Sequence, residues 1–292
     1  MKNFGAQNMV TKLTKVLMKK PSEFMSKADI KKWNYKSSLN QEKIEKNYEE
    51  FFNIIKKSGT EIIELKIENK KEDLFDSIFT HDPSLVINEG AIILNMGKKL
   101  RKKETDEHKK IYNRINIPIV GKIKGEGTVE GGDCLWINDN TLLIGRSLRT
   151  NENGIKQLAQ ILKNFEIKVI PVKLPKQKDS NSCFHLMSLI SMLDHDLAIG
   201  CKSLISSELK EIFNKNSVKI ISIPEDEYFN SETMAVNCLA LSPRNLVLIK
   251  GYPKTEDVLV REGNKLNLFN GDDLCKKAEG GPTCLTRALI RI

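Results

Sequence analysis

The sequence predicts a mixed α/β protein built as a closed array of about five repeated units. Three observations lead there. A helix, a strand and a pair of short apolar runs around a turn recur at a period of roughly 50 to 60 residues. The 292 residues, 40% hydrophobic and 29% charged, are too apolar to stay unfolded. No Pro/Gly/Ser-rich stretch divides them, so one domain over residues 1–292 is expected, with hairpin ends and connecting loops converging on a central mouth.

The elements follow in order. Residues 41–58 place Ile44, Tyr48, Phe51, Phe52 and Ile55 on one helical face ahead of Gly59, a helix stop. A strand is expected over 60–67, then two apolar runs around a tight turn over 84–94. The pattern repeats as a helix over 104–115, a strand at 118–120, and runs at 134–137 and 141–144 around Asn138-Asp139-Asn140. Helices at 152–164 and 206–214 lead to strands at 167–172 and 218–223. A last pair, 236–241 and 246–249, flanks Ser242-Pro243-Arg244-Asn245, and 285–290 closes the chain as a strand.

Composition narrows the function. The net charge is +9, yet only eight of the 47 basic residues are arginine, which reads as a lysine-rich coding background. The run Lys98, Lys99, Arg101, Lys102 and Lys103 carries no interleaved aromatic residue, so it reads as a solvated basic face rather than a nucleic-acid site. In such a chain each arginine marks a place that calls for a planar, bidentate donor. No apolar run approaches the roughly 20 residues of a membrane span, and the start Met1-Lys2-Asn3-Phe4 lacks a signal-peptide core, so a cytoplasmic location is expected. The six cysteines form no Cys-x-x-Cys pair; reduced thiols are expected, with neither a disulfide framework nor a metal site.

Four polar clusters stand at the ends of the units. They are Asp76-Ser77-Ile78-Phe79-Thr80-His81-Asp82-Pro83, Glu130-Gly131-Gly132-Asp133, Cys183-Phe184-His185-Leu186-Met187-Ser188 and Glu279-Gly280-Gly281-Pro282-Thr283-Cys284. Singly, each has a structural reading: turn chemistry for the acids, a satisfied core histidine, a cysteine used as a small hydrophobe. Together, at the mouth ends of different units, they offer a nucleophile, a proton carrier and an orienting acid. A glycine turn beside an imidazolium would expose and stabilise a thiolate.

With Gly145-Arg146-Ser147-Leu148-Arg149-Thr150-Asn151, these motifs resemble, in order, those of the guanidino-group-modifying enzymes: dimethylarginine dimethylaminohydrolase, arginine deiminase and the amidinotransferases. The resemblance runs from residue 76 to 284. It implies a pentein-type α/β propeller of five pseudo-symmetric ββαβ units around a central active site. It implies that Cys284 attacks the guanidinium carbon, that His185 protonates the departing amine and then activates water, and that Glu130 holds the histidine. It also implies that Asp82 grips the guanidinium nitrogens, that Arg101 and Arg149 bind the substrate carboxylate, and that Asp76 and Asp133 support the substrate. Met187 stands where arginine deiminases carry a second clamping aspartate. A thioether there would tolerate N-methyl groups better than a carboxylate, because methylated nitrogens have fewer N–H groups to offer it.

The expected reaction is therefore hydrolysis of a C–N bond of an arginine-like guanidine, most simply an N-omega-methylated arginine giving citrulline and an amine, without a cofactor or metal. Arginine deimination and amidino transfer are alternatives. A ribosome-binding factor of the same propeller fold is the non-enzymatic one, opposed by the joint presence of Cys284, His185 and Glu130. The expected partner is a small guanidino compound; nucleic acid and membrane are not expected, and a homodimer is left open. The polar stretch 173–181, just ahead of His185, is a candidate gate.

Overall fold

The computed structural model describes residues 3–67, 74–175 and 184–292, and its strands fall into five three-stranded sheets. In chain order the elements are β1 (Leu13–Met18), α1 (Ile30–Trp33), α2 (Gln41–Lys57) and β2 (Glu61–Glu64), then β3 (Ser84–Ile87), β4 (Gly90–Ile93), α3 (Glu104–Arg114) and β5 (Ile119–Lys122). Next come β6 (Cys134–Asn138), β7 (Thr141–Arg146), α4 (Glu152–Lys163) and β8 (Lys168–Lys173), followed by β9 (Ile190–Asp194), β10 (Leu197–Gly200), α5 (Ser207–Lys215) and β11 (Lys219–Ser222). The last are α6 (Glu225–Asn230), β12 (Leu239–Ser242), β13 (Asn245–Ile249), α7 (Pro253–Arg261), β14 (Lys265–Phe269) and β15 (Arg287–Arg291).

Each sheet obeys one rule. The middle strand pairs antiparallel with the strand that leads into it and parallel with the strand that follows its helix, as β4 does with β3 and β5. The first sheet completes the set from both ends of the chain: β15 pairs antiparallel with β1, and β1 pairs parallel with β2. Five ββαβ units in a pseudo-fivefold arrangement are thus formed, the number that the repeat predicts and the unit that the resemblance implies.

The helices form where local chemistry allows. Asn40, Asn151 and Ser206 cap α2, α4 and α5 by accepting the backbone N–H of Lys43, Gly154 and Leu209. Gly59 follows α2 at φ +81°, the left-handed conformation that glycine adopts without a Cβ clash. The inner face of α2 buries Ile44, Tyr48, Phe51 and Ile55, and Phe51 meets Phe269 of β14 with ring centroids 5.0 Å apart. Full burial of such a ring contributes about 1.5–3 kcal/mol.

Several elements go beyond the sequence reading. The hairpin β9/β10, just after His185, and β1, α1, α6, α7 and β14 lie outside the elements that the sequence pattern predicts. β12 begins at Leu239 and β15 at Arg287, later than expected, because Met234–Val236 and the segment from Gly281 are turns rather than strand. The basic run also divides: Lys99, Lys102 and Lys103 are exposed, whereas Arg101 is buried and the Lys98 side chain is only 13% exposed. Among the described residues no helix is long and apolar enough to cross a membrane.

The segment leading into the first strand of each hairpin is a short turn. Phe75–Ile78 precedes β3, Gly131–Asp133 precedes β6, Leu186–Ser188 precedes β9, Met234–Val236 precedes β12, and a turn through Thr283 and Cys284 precedes β15. These five lead-in turns bring their polar side chains to one place.

Candidate active site

The lead-in turns contribute Asp82, Glu130, His185, Asn237 and Cys284, in that order around the ring. Asp82, His185, Asn237 and Cys284 line one pocket, with Asp76, Lys98, Arg101, Arg149, Ser188, Met234 and Glu279; Trp33 and Asn34 close it from the segment after β1. The cavity is narrow, with ≈ 40 Å³ open to water.

Glu130 is fully buried. Its Oε2 lies 3.0 Å from His185 Nε2, its Oε1 accepts the Lys98 backbone N–H at 2.9 Å, and Arg149 Nη1 is 3.6 Å from Oε1. Burial works against its charge, but the bond to His185 and the Arg149 guanidinium outweigh it and hold the carboxyl below its ordinary range. The imidazole packs on Gly132, where a Cβ would stand 2.4 Å from Nδ1. A side chain at that position would push the ring off Glu130.

Asp82 is buried beside Arg101, whose Nη1 donates to Oδ2 at 2.7 Å, while the Gly132 N–H donates to Oδ1 at 2.9 Å. Burial opposes its ionisation, but Arg101, then His185 and His81, keep it well below the usual carboxylate range. Two donors leave about two of its four lone-pair sites for another planar cation. The rest of the Arg101 fork is engaged: Nε and Nη2 meet Glu104 at 2.9–3.1 Å, and Nη2 also donates to the Phe79 carbonyl at 2.9 Å. Arg101, expected at a substrate carboxylate, is placed as the anchor of Asp82. Lys98 stands nearer that role. Its ammonium donates to Asp76 Oδ2 at 2.6 Å and the Trp33 carbonyl at 2.7 Å, leaving one of three N–H groups for a ligand. Tyr35 donates to the other Asp76 oxygen at 2.8 Å.

Asp133 is fully buried behind the pocket rather than on its wall. It accepts the Leu186 N–H at 3.0 Å and the Ser147 hydroxyl at 2.6 Å, thereby fixing the turn that carries His185. Burial pushes its carboxyl up to about 6. Ser147 in turn accepts the Arg149 and Thr150 N–H groups, and Thr150 Oγ1 accepts the Glu130 N–H at 3.1 Å. The Gly145–Asn151 motif thus acts as scaffold for Glu130 as well as carrying Arg149.

Met187 takes a different place from the one expected. The turn Leu186–Ser188 directs Met187 into the apolar core, and Ser188 reaches the pocket instead. The thioether on the pocket wall belongs to Met234.

Cys284 is half-buried on that wall, and Asn237 Nδ2 donates to its sulfur at 3.5 Å while Oδ1 accepts the Thr283 N–H at 3.1 Å. Asn237 lies so close to Gly281 that a Cβ there would meet its Cγ at 2.4 Å, which explains the second glycine of the turn. The other described cysteines are buried; burial pushes the Cys134 and Cys238 thiols up to about 12 and raises that of Cys275. Cys183 and residues 176–181 of the candidate gate lie outside the described residues.

Sequence reasoning missed Asn237, Met234, Lys98, Ser147 and the closing residues Trp33 and Asn34. Asn237 had one available signal: like Asp82 it stands two residues ahead of the first strand of its hairpin. Ligand atoms of Asp82, Glu130 and His185 lie within 4.8 Å of one another, a spacing that could hold a metal ion. However, all four carboxylate oxygens already face nitrogen donors, so the set is compensated by the protein itself.

A family model described as arginine deiminase matches residues 68–210 of the chain. The N(G),N(G)-dimethylarginine dimethylaminohydrolase of Pseudomonas aeruginosa is 30% identical over 211 residues, 72% of this chain and 76% of that one. The arginine deiminase of Listeria welshimeri is 24% identical over 250 residues, 73% of this chain and 61% of its own. A solved structure of DDAH from Pseudomonas aeruginosa, a cysteine-to-serine mutant complexed with citrulline, superposes with a TM-score of 0.79 at 23% identity, covering 96% of this chain and all of that one.

Proposed function

Because this chain belongs to the guanidino-group-modifying family that includes dimethylarginine dimethylaminohydrolase, we propose that it hydrolyses an N-omega-methylated arginine to citrulline and an amine through a covalent intermediate on Cys284. The observation that carries the proposal is the buried Glu130–His185 pair, 3.0 Å apart, at the pocket that Cys284 lines.

In the first half-reaction the Cys284 thiolate bonds to the guanidinium carbon. The C–N bond to the methylated nitrogen breaks as the His185 imidazolium gives that nitrogen its proton. Glu130 offsets the imidazolium charge before the transfer and orients the ring throughout. Asp82, already ionised by its Arg101 contact, receives the N–H groups of the planar cation and holds it for in-line attack. In the second half-reaction neutral His185 takes a proton from water, the hydroxide adds to the same carbon, and the C–S bond breaks to leave a ureido product. Lys98 and Arg149 supply positive charge on the pocket wall for the substrate carboxylate.

Met234 favours the methylated substrate. An apolar thioether on the wall leaves no buried acceptor unsatisfied when N–H groups are replaced by methyls. The catalytic set lies in one domain over residues 1–292 and comes from one chain, so a second copy is not needed to complete it.

The test is a ureido-product assay on the whole chain with dimethylarginine, monomethylarginine, arginine and agmatine. Turnover of the methylated arginines, at least tenfold poorer turnover of agmatine, and loss of turnover in Cys284→Ser are expected. Undiminished activity in Cys284→Ser ends the mechanism. Preference for free arginine returns the chain to the arginine deiminase reading.

A further inference from the structure

The segment that closes the pocket is fastened to the turn that carries the nucleophile. Asp29 caps α1, the helix ends at Asn34 in the left-handed conformation, and Trp33 and Asn34 then meet the pocket. Two residues on, Lys36 Nζ pairs with Glu279 Oε1 at 2.9 Å and Glu232 Oε2 at 2.5 Å. The backbone repeats the connection: the Lys36 N–H donates to the Lys277 carbonyl at 2.9 Å, and Lys277 Nζ donates to the Ser38 carbonyl at 3.0 Å.

Glu279 is an unusual residue for its position. It sits at φ +60°, a conformation natural to glycine, immediately before Gly280 and Gly281, and its side chain lines the pocket. Glu232 and Thr233, at φ +50° and +75°, are strained in the same sense on the opposite side of Lys36. Non-glycine residues held there are strained and persist where the surroundings impose them. A glycine at 279 would relieve the backbone but could not reach Lys36.

We propose that Lys36 and Glu279 are positioning residues that tie the pocket's closing segment to the Cys284 turn, so that covering the substrate and placing the sulfur are one event. The role rests on the hydrolase reading above, whereas the tether itself is a property of the free protein. Glu232 steadies the cation from the far side. When the segment lifts to admit substrate, the pair separates and the Glu279 turn is freed; when it settles, Lys36 draws both back.

Amide hydrogen exchange on the full chain without substrate tests the tether. In Glu279→Gly, amides of 33–39 are expected to exchange at least tenfold faster, with those of β6 and β7 unchanged and the unfolding temperature not lowered. Lys36→Met should give the same local acceleration, and the double variant should add nothing further. In the ureido assay, Glu279→Gly should raise KM by more than it lowers kcat. Unchanged exchange at 33–39 in both single variants overturns the proposal, as does an additive double variant. Faster exchange with no turnover in the unmodified protein would retain the tether and reject the hydrolase reading.

Discussion

The two halves of the ring treat charge in opposite ways. On the side of β3 to β8, Asp76, Asp82, Glu104 and Glu130 face Lys98, Arg101, Arg149 and His185 in a buried network with every acid engaged. On the side of β12 to β15, the lead-in turns bring an amide and a thiol to the pocket, Asn237 and Cys284, and the carboxylate on that wall, Glu279, is paired with Lys36. On the proposed reading the difference divides the labour: the acid-rich half would receive a planar cation, and the other half would hold the reactive sulfur on a turn tied to the segment of Trp33 and Asn34. A sulfur set among the acids would have its thiolate disfavoured, as burial with Asp133 nearby raises the Cys134 thiol.

Three perturbations would sharpen or break this contrast. The largest effect is expected in the charged half: Glu130→Gln keeps the shape but removes the charge that supports the imidazolium, and kcat should fall about 10³-fold. A loss below tenfold in steady-state kinetics would mean that the network merely holds the fold. Second, Gly281→Ala places a methyl against Asn237 and displaces the amide from the sulfur, so kcat should fall about 10²-fold. If only the unfolding temperature drops while kcat survives, the half that carries Cys284 has no finely placed group. The smallest effect concerns stability. His81 and His108, in the charged half, are held neutral, down to about 3, by burial and then by Arg287. The unfolded chain protonates them below about pH 6.5 while the folded one does not, so stability is lost as pH falls from there toward 3. Each histidine should remove about 2 kcal/mol by pH 5, measured by denaturant unfolding. His108→Gln should halve the histidine part of that slope, and an unchanged slope would place the acid sensitivity elsewhere.

How far the sequence could be read follows the same division. Glu130, His185 and Cys284 carry chemistry in their side chains and stand beside glycines, so they are visible one at a time. Asn237 is a neutral amide in an apolar stretch, and only its place two residues ahead of a hairpin, as Asp82 has, distinguishes it. Arg101 and Lys98 show a subtler limit: spacing brought both to the pocket, but which one is committed to protein acceptors depends on Glu104 and the Phe79 carbonyl. Met187 and Ser188 differ only by one step of a tight turn, too fine a distinction for a pattern. The hairpins from β3 to β7 were legible because each run is apolar and bounded by a turn. By contrast, β1 finds its antiparallel partner some 270 positions away, and no local period reports that.

That pairing bears on synthesis. β15 follows every other strand in chain order, and Cys284 stands on the turn just ahead of it. A nascent chain can therefore assemble the acids and the imidazole while it still lacks the sulfur, and while the first sheet still offers an open edge along β1. The sulfur and the strand that closes the first sheet therefore join the acids and the imidazole together, three residues apart in the chain.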